Sequence, residues 1–156
     1  MADMRRGNLN TLFPGDVLKL VSTPYSLYAK ETAMPLEVLE TIPVLRIFDV
    51  AKAKEFYVGF LGFKVDWEHK FPDVSPVYMQ VSLGGLKLHL SEYHGDCCPG
   101  AKAFIRVRGL ENYHSEIMAK GYGYMRPGIE KSEHRSRYVQ VVDPFGNKLQ
   151  FDETLE

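Results

Sequence analysis

Val77-Tyr78-Met79-Gln80-Val81-Ser82-Leu83-Gly84-Gly85-Leu86-Lys87-Leu88-His89-Leu90-Ser91 is the stretch that decides the fold. Two alternating runs flank a Gly-Gly pair, and two-residue glycine turns of this kind close β-hairpins. Alternation at period two sends neighbouring side chains to opposite faces of a sheet. Val77, Met79, Val81, Leu86, Leu88 and Leu90 form an apolar set that needs a helix to cover it. Tyr78, Gln80, Lys87, His89 and Ser91 form a mixed set on the other face.

Working outward toward the N-terminus, Phe63–His69 reads as a strand of imperfect alternation, joined to the hairpin by a loop over Phe71–Pro76. Gly62 stands where a helix C-terminal glycine would. Before it, Asp49 is an N-cap for a helix running from Val50 to about Phe60, with Ala53, Phe56, Tyr57, Phe60 and Leu61 on one side. Thr41–Phe48 is β-branched and apolar, a strand. The order is β-α-β-β-β. Toward the C-terminus the same order recurs. Ala101–Arg108 alternates, Gly109 breaks the run, and Leu110–Lys120 reads as a helix with Tyr113, Ile117 and Met118 apolar. Tyr122–Met125 suggests a short strand and Pro127–Ser136 a polar loop. Tyr138–Val142 and Lys148–Asp152 are strands around a turn at Pro144-Phe145-Gly146-Asn147. A repeat whose helices lie about 60 residues apart predicts two similar halves. The expected class is α+β, two tandem βαβββ modules at about 41–93 and 101–153 with helices on one sheet face. They make up a domain over 39–156. Residues 1–38, irregular and punctuated by Pro14-Gly15, Pro24 and Pro35, read as an N-terminal extension, with Met34 a candidate alternative start.

Bulk composition narrows the function. A chain of 156 residues with a formal net charge of -1 and 25% charged residues shows no basic excess for nucleic acid or an anionic membrane. No apolar run reaches the ~20 residues of a membrane span. The two cysteines, Cys97 and Cys98, are sequence neighbours and read as loop thiols, which fits a reducing cytoplasm. None of the histidines is spaced for a nucleophilic triad or a helical zinc motif.

Several short motifs in fixed order then carry a resemblance. Ile42-Pro43-Val44-Leu45-Arg46, Asp49-Val50, Phe56-Tyr57, Leu61-Gly62-Phe63 and the late turn Asp143-Pro144-Phe145-Gly146-Asn147 resemble the glyoxalase/bleomycin-resistance/extradiol-dioxygenase superfamily over residues 41–153. Leu88 to Asp96 is similar to its bleomycin-resistance branch. The resemblance implies paired βαβββ modules around a cup, helices on its outer face, in a homodimer whose subunits complete each other's pockets. Metal-dependent relatives hold their ion at positions that fall here on Ile42, His89, Lys102 and Gln150. Ile42 has no donor atom and Lys102 is a cation, so the resemblance implies no metal and no other cofactor. The bleomycin-resistance branch often carries Trp-Gly where this chain has His134 and Arg135, while its following arginine is retained as Arg137.

On this basis the ligand site is expected on the mixed sheet face, at Arg46, Trp67, Tyr78, Gln80, His89, Phe104, Tyr138 and Gln150. Aromatic walls with a few placed polar groups are the usual lining of a small-molecule site. The leading expectation is a cytoplasmic homodimer that sequesters a drug or metabolite. With Arg46, Lys102, Arg106 and Arg137 near the cup, an anionic or carbonyl-rich ligand is as compatible as a glycopeptide. The alternatives are a lyase or isomerase of the same fold and a partner-binding role with a vestigial pocket.

Overall fold

The computed structural model describes residues 36–70 and 76–155. The chain divides into two compact units, Met1–Leu39 and Glu40–Glu156. Of the first, only residues 36–39 fall within the described range; they are exposed and without regular structure.

The second unit holds two four-stranded sheets of identical topology. In the first, β1 (Val44–Arg46), β4 (Leu86–Ser91), β3 (Val77–Leu83) and β2 (Lys64–Lys70) lie in that order. In the second, β5 (Lys102–Arg106), β8 (Lys148–Thr154), β7 (Ser136–Val142) and β6 (Glu130–Ser132) repeat it. β1 runs parallel to β4 and β5 parallel to β8, and the other neighbours are antiparallel. One helix fills each β-to-β crossover: α1 (Val50–Lys54), which continues as a π-helical turn over Glu55–Phe60, and α2 (Leu110–Ala119). The α+β class and the doubled βαβββ order expected from the sequence are what the chain adopts.

The helices form where the sequence caps them. Asp49 accepts from the backbone N–H of Lys52 at 2.9 Å. Gly62 takes φ +82° and turns the chain into β2, a left-handed conformation costly for any side chain. The apolar faces of both sheets and the inner faces of the helices meet in one core. Phe56, Tyr57, Phe60 and Leu61 pack with Met79, Val81, Leu88 and Leu90, and Leu110 and Ile117 belong to the same cluster as Val139, Val141, Leu149 and Phe151.

Three expectations need correction. The strand expected over Thr41–Phe48 is only Val44–Arg46, because Pro43 has no N–H to donate and can only offer its carbonyl, to His89 at 2.9 Å. Tyr122–Met125 is not a strand. Tyr122 instead stacks on Phe60 with ring centroids 4.6 Å apart, and the Met125 sulfur accepts from the Val142 N–H at 3.4 Å. The missing strand is Glu130–Ser132, inside the expected polar loop; as an edge strand it needs no apolar alternation. The expected loop at Phe71–Pro76 lies, up to residue 75, outside the described residues.

Candidate functional site

The face of the first sheet turned away from the helices is a small lattice fixed by register. Arg46, Ser91 and Tyr78 form one row across β1, β4 and β3; Val44, His89, Gln80 and Trp67 form the next, across all the strands. Trp67 reaches this row through a break in β2. Val65 pairs with Val81 and Trp67 with Gln80, so Asp66 is an extra residue, a β-bulge. The bulge resets the alternation. Asp66 and Trp67 both serve the open face, while Glu68 turns to the helix side and pairs with Lys54.

Three rings cluster there. Trp67 stacks on Tyr78 at 5.8 Å and 15°, and His89 meets Trp67 edge-on at 5.3 Å and Tyr78 at 5.2 Å. Hydrogen bonds tie them down. The Tyr78 hydroxyl bonds His89 Nδ1 at 2.8 Å, and His89 Nε2 bonds Gln80 Oε1 at 3.1 Å. Gln80 Nε2 donates to Asp66 at 2.9 Å, and the Ser82 hydroxyl donates to the same carboxylate at 2.9 Å. This chain selects one state of the imidazole. An amide oxygen can only accept, so Nε2 carries the proton and Nδ1 accepts from tyrosine. Burial lowers the His89 pKa below its ordinary value, with Glu40 opposing weakly, which favours that neutral form. The two bonds from Gln80 and Ser82 lower the Asp66 carboxyl below its ordinary value.

Arg46 lies at the end of the lattice. Its guanidinium sits over the Phe48 ring at 4.9 Å. Nη1 is shut off from solvent and has no hydrogen-bond partner. The loop after β4 closes this end: the Ser91 hydroxyl donates to Asp96 at 2.6 Å. Cys97 is half-buried beside it, and its thiol is raised by burial and by Asp96 while Arg46 pulls the other way.

The remaining expected residues sit on the second sheet. Phe104 is 54% exposed and lies under the Arg106 guanidinium. Gln150 is its register neighbour on β8. Tyr138 donates to Glu130 across the sheet edge. The structure therefore gathers Trp67, Tyr78, Gln80 and His89 into one bonded cluster with Arg46 in the adjoining row. Phe104, Tyr138 and Gln150 form a separate surface, and among the described residues no hydrogen bond or ring contact joins the two. A hollow of about 660 Å³ adjoins Phe104, bounded also by Pro43, Leu86 and Lys102, apart from the ring cluster. Sequence reasoning missed Asp66, Asp96 and Cys97. Only the imperfect alternation of β2 pointed toward the first.

The profile of a family described as glyoxalase superfamily protein matches residues 29–156. The chain belongs to the glyoxalase superfamily. No functionally curated protein matches it significantly. Among solved structures, a bleomycin-binding protein complexed with bleomycin is 22% identical at a TM-score of 0.58, covering 76% of this chain and 100% of that one. A bleomycin resistance determinant encoded on the transposon Tn5 is 20% identical at a TM-score of 0.58, with 76% and 100% covered. A glyoxalase family protein from Bacillus anthracis is 17% identical at 0.56, with 77% and 99% covered. At these identities the likeness is one of fold.

Metal-dependent glyoxalase relatives need several donors at one point, and the side chains here do not supply them. Both ring nitrogens of His89 are engaged, by Tyr78 and Gln80. Lys102 is exposed and cationic, and Ile42 offers no donor. Among the described residues no three His, Cys, Asp or Glu side chains converge as a metal site. Arg135 stands where the bleomycin-resistance branch often has glycine, and it holds the left-handed backbone a glycine would, with φ at 54°.

Proposed function

We propose that this glyoxalase-superfamily protein binds a small molecule on the open sheet face of its first module and acts by sequestration rather than through a metal. The observation that carries this reading is the ring cluster of Trp67, Tyr78 and His89. It is held rigid by bonds to Gln80 and Asp66, yet it leaves Trp67 41% exposed. Preorganised aromatic area that water still reaches is surface a flat ligand can bury at small entropic cost. Two fold relatives support the class of function, one a bleomycin-binding protein and one a bleomycin resistance determinant. A homodimer completes the reading, its second copy bringing the Phe104, Tyr138 and Gln150 surface over the cluster. Residence in the cytoplasm accords with the two free thiols.

The test is a thermal-shift screen against glycopeptides and small oxygenated metabolites, followed by Trp67→Ala and Tyr78→Ala. Each substitution is expected to weaken a hit by more than about 1 kcal/mol, as for aromatic anchors elsewhere. Unchanged affinity in both, with the fold intact by circular dichroism, would remove the site from this face. Stoichiometric metal in protein purified without chelator, lost on His89→Ala, would remove the metal-free reading.

A further inference from the structure

The structure sorts the cations that the sequence placed near the cup. Arg137 turns to the helix side and is committed to Glu153 at 2.8 Å and Glu111 at 3.2 Å. Arg106 covers Phe104 and contacts Thr154 and Asp152. Lys87 pairs with Glu40 at 3.0 Å. Lys102 is exposed, so water satisfies its charge. Arg46 differs from all of these. Its guanidinium has no ion pair or hydrogen bond among the described residues, and its Nη1 is buried. A desolvated guanidinium nitrogen without an acceptor is a standing free-energy cost. Two parallel N–H groups of a guanidinium match the paired oxygens of a carboxylate or a phosphate.

We propose that Arg46 receives the carboxylate of an aromatic monocarboxylic acid whose ring body lies along the Tyr78–Trp67 side of the same sheet face. This rests on the first module's open face being the ligand site. The register sets the span. Arg46 and Tyr78 are two strands apart in one row, and Trp67 is one strand further in the next row. At ~4.8 Å per strand and ~6.7 Å per row, the Arg46 and Trp67 backbones lie about 16 Å apart, and their side chains close much of that distance. A ligand with an acid at one end and a fused ring at the other bridges it.

The charge of the ligand follows from Asp96. That carboxylate is held on Ser91, the residue between Arg46 and Tyr78 in the row. Burial raises both the Tyr78 hydroxyl and the Cys97 thiol, and the field of the Asp96 charge adds to the rise in each. A monoanion can use Arg46 and stay clear of Asp96. A dianion such as a phosphate monoester would meet that field with its second charge, which is how a site rejects a competitor.

Trp67 is the single tryptophan of the chain, so one indole N–H signal in a ¹H–¹⁵N spectrum reports on this face. The probes are 2-naphthoate, its neutral isostere 2-naphthamide and the dianion 2-naphthyl phosphate, titrated by calorimetry and followed by the indole signal. The expected result is naphthoate binding roughly tenfold or more tightly than the amide, about 1.4 kcal/mol, with the phosphate weaker than naphthoate. Arg46→Gln should abolish the preference by bringing naphthoate affinity down to that of the amide. Should that variant unfold, Arg46→Lys, which keeps the charge and loses the fork, must still narrow the preference. Equal binding of acid and amide, with the indole signal moving, would overturn the assignment to Arg46 and leave the sheet-face site standing. A preference that survives Arg46→Gln overturns it as well. No movement of the indole signal with any probe would sink both this proposal and the site it rests on.

Discussion

Asn147 holds distant parts of the chain at once. Its Nδ2 donates to the Arg46 carbonyl at 2.7 Å and to Asp143 Oδ2 at 2.7 Å. Asp143 also accepts from the backbone N–H of Phe145 and of Asn147, and from the buried Tyr57 hydroxyl at 2.8 Å. Burial and the Asp143 charge raise the Tyr57 phenol well above its ordinary value, so it remains a donor. Tyr57→Phe removes one bond to a charged acceptor and should cost about 1.5–3 kcal/mol in urea unfolding. Asn147→Ala strands a buried carbonyl and part of a buried carboxylate, and should cost more than Tyr57→Phe in the same assay. His89 gives a pH signature. In the unfolded chain the imidazole protonates near 6.5, whereas in the folded protein it does so only at lower pH. Between those values the unfolded state binds more protons, so stability falls as pH falls below about 6.5. His89→Gln should flatten that slope in unfolding curves taken between about pH 5 and 7.5; an unchanged slope would mean another group carries it. The sequence shows Asp143–Asn147 as a turn because turn chemistry is local. It cannot show that the turn is stitched to Tyr57 and Arg46, which lie 86 and 101 residues away.

Element by element, alternation was decisive where one sheet face is buried and failed where it is not. β3, β4, β7 and β8 each bury every second residue or nearly so, and their register was legible. β6 is a polar edge with no buried residue and left no trace. β2 is exposed along most of its length, and its bulge scrambled the pattern around Trp67. That bulge sets Trp67, one of the three clustered rings, on the open face. Deleting Asp66 removes the extra residue and, if the pairing beyond it stays in register, leaves Trp67 opposite Gln80 on the open face but without the carboxylate that holds Gln80 and Ser82. The expected readout is an indole signal that still responds to a sheet-face ligand, with weakened binding, in a protein that keeps its β-rich circular dichroism; a lost response would mean that the strand has slipped by one residue. Asp66→Ala keeps the bulge and frees the Gln80 amide. It should weaken binding about as much as the deletion does, and a much larger loss in the deletion would locate the effect in the bulge and not in the carboxylate.

At the scale of the whole molecule, the doubled order was the most legible feature, because each half repeats the same punctuation: strand, glycine-closed helix, then strands around a tight turn. The assembly was not, because no pattern within one chain says what covers an exposed face. Trp67 and Phe104 are both substantially exposed, one on each sheet. If the second copy covers them, sedimentation at micromolar concentration should give a dimer. Its interface should be on the order of 2,000 Å² or more, the size of permanent contacts. A monomer under those conditions would leave each open face as solvent surface. No helix among the described residues is long and apolar enough to cross a membrane.

The stitch at Asn147 also bears on the order in which the chain is made. Ribosomes deliver the first module well before residue 147, so the Arg46 carbonyl and the Tyr57 hydroxyl wait without their final partners for most of translation. A nascent chain stalled after β4 should therefore be protease-sensitive around its first helix, and protection should arrive only once the Asp143–Asn147 turn has emerged.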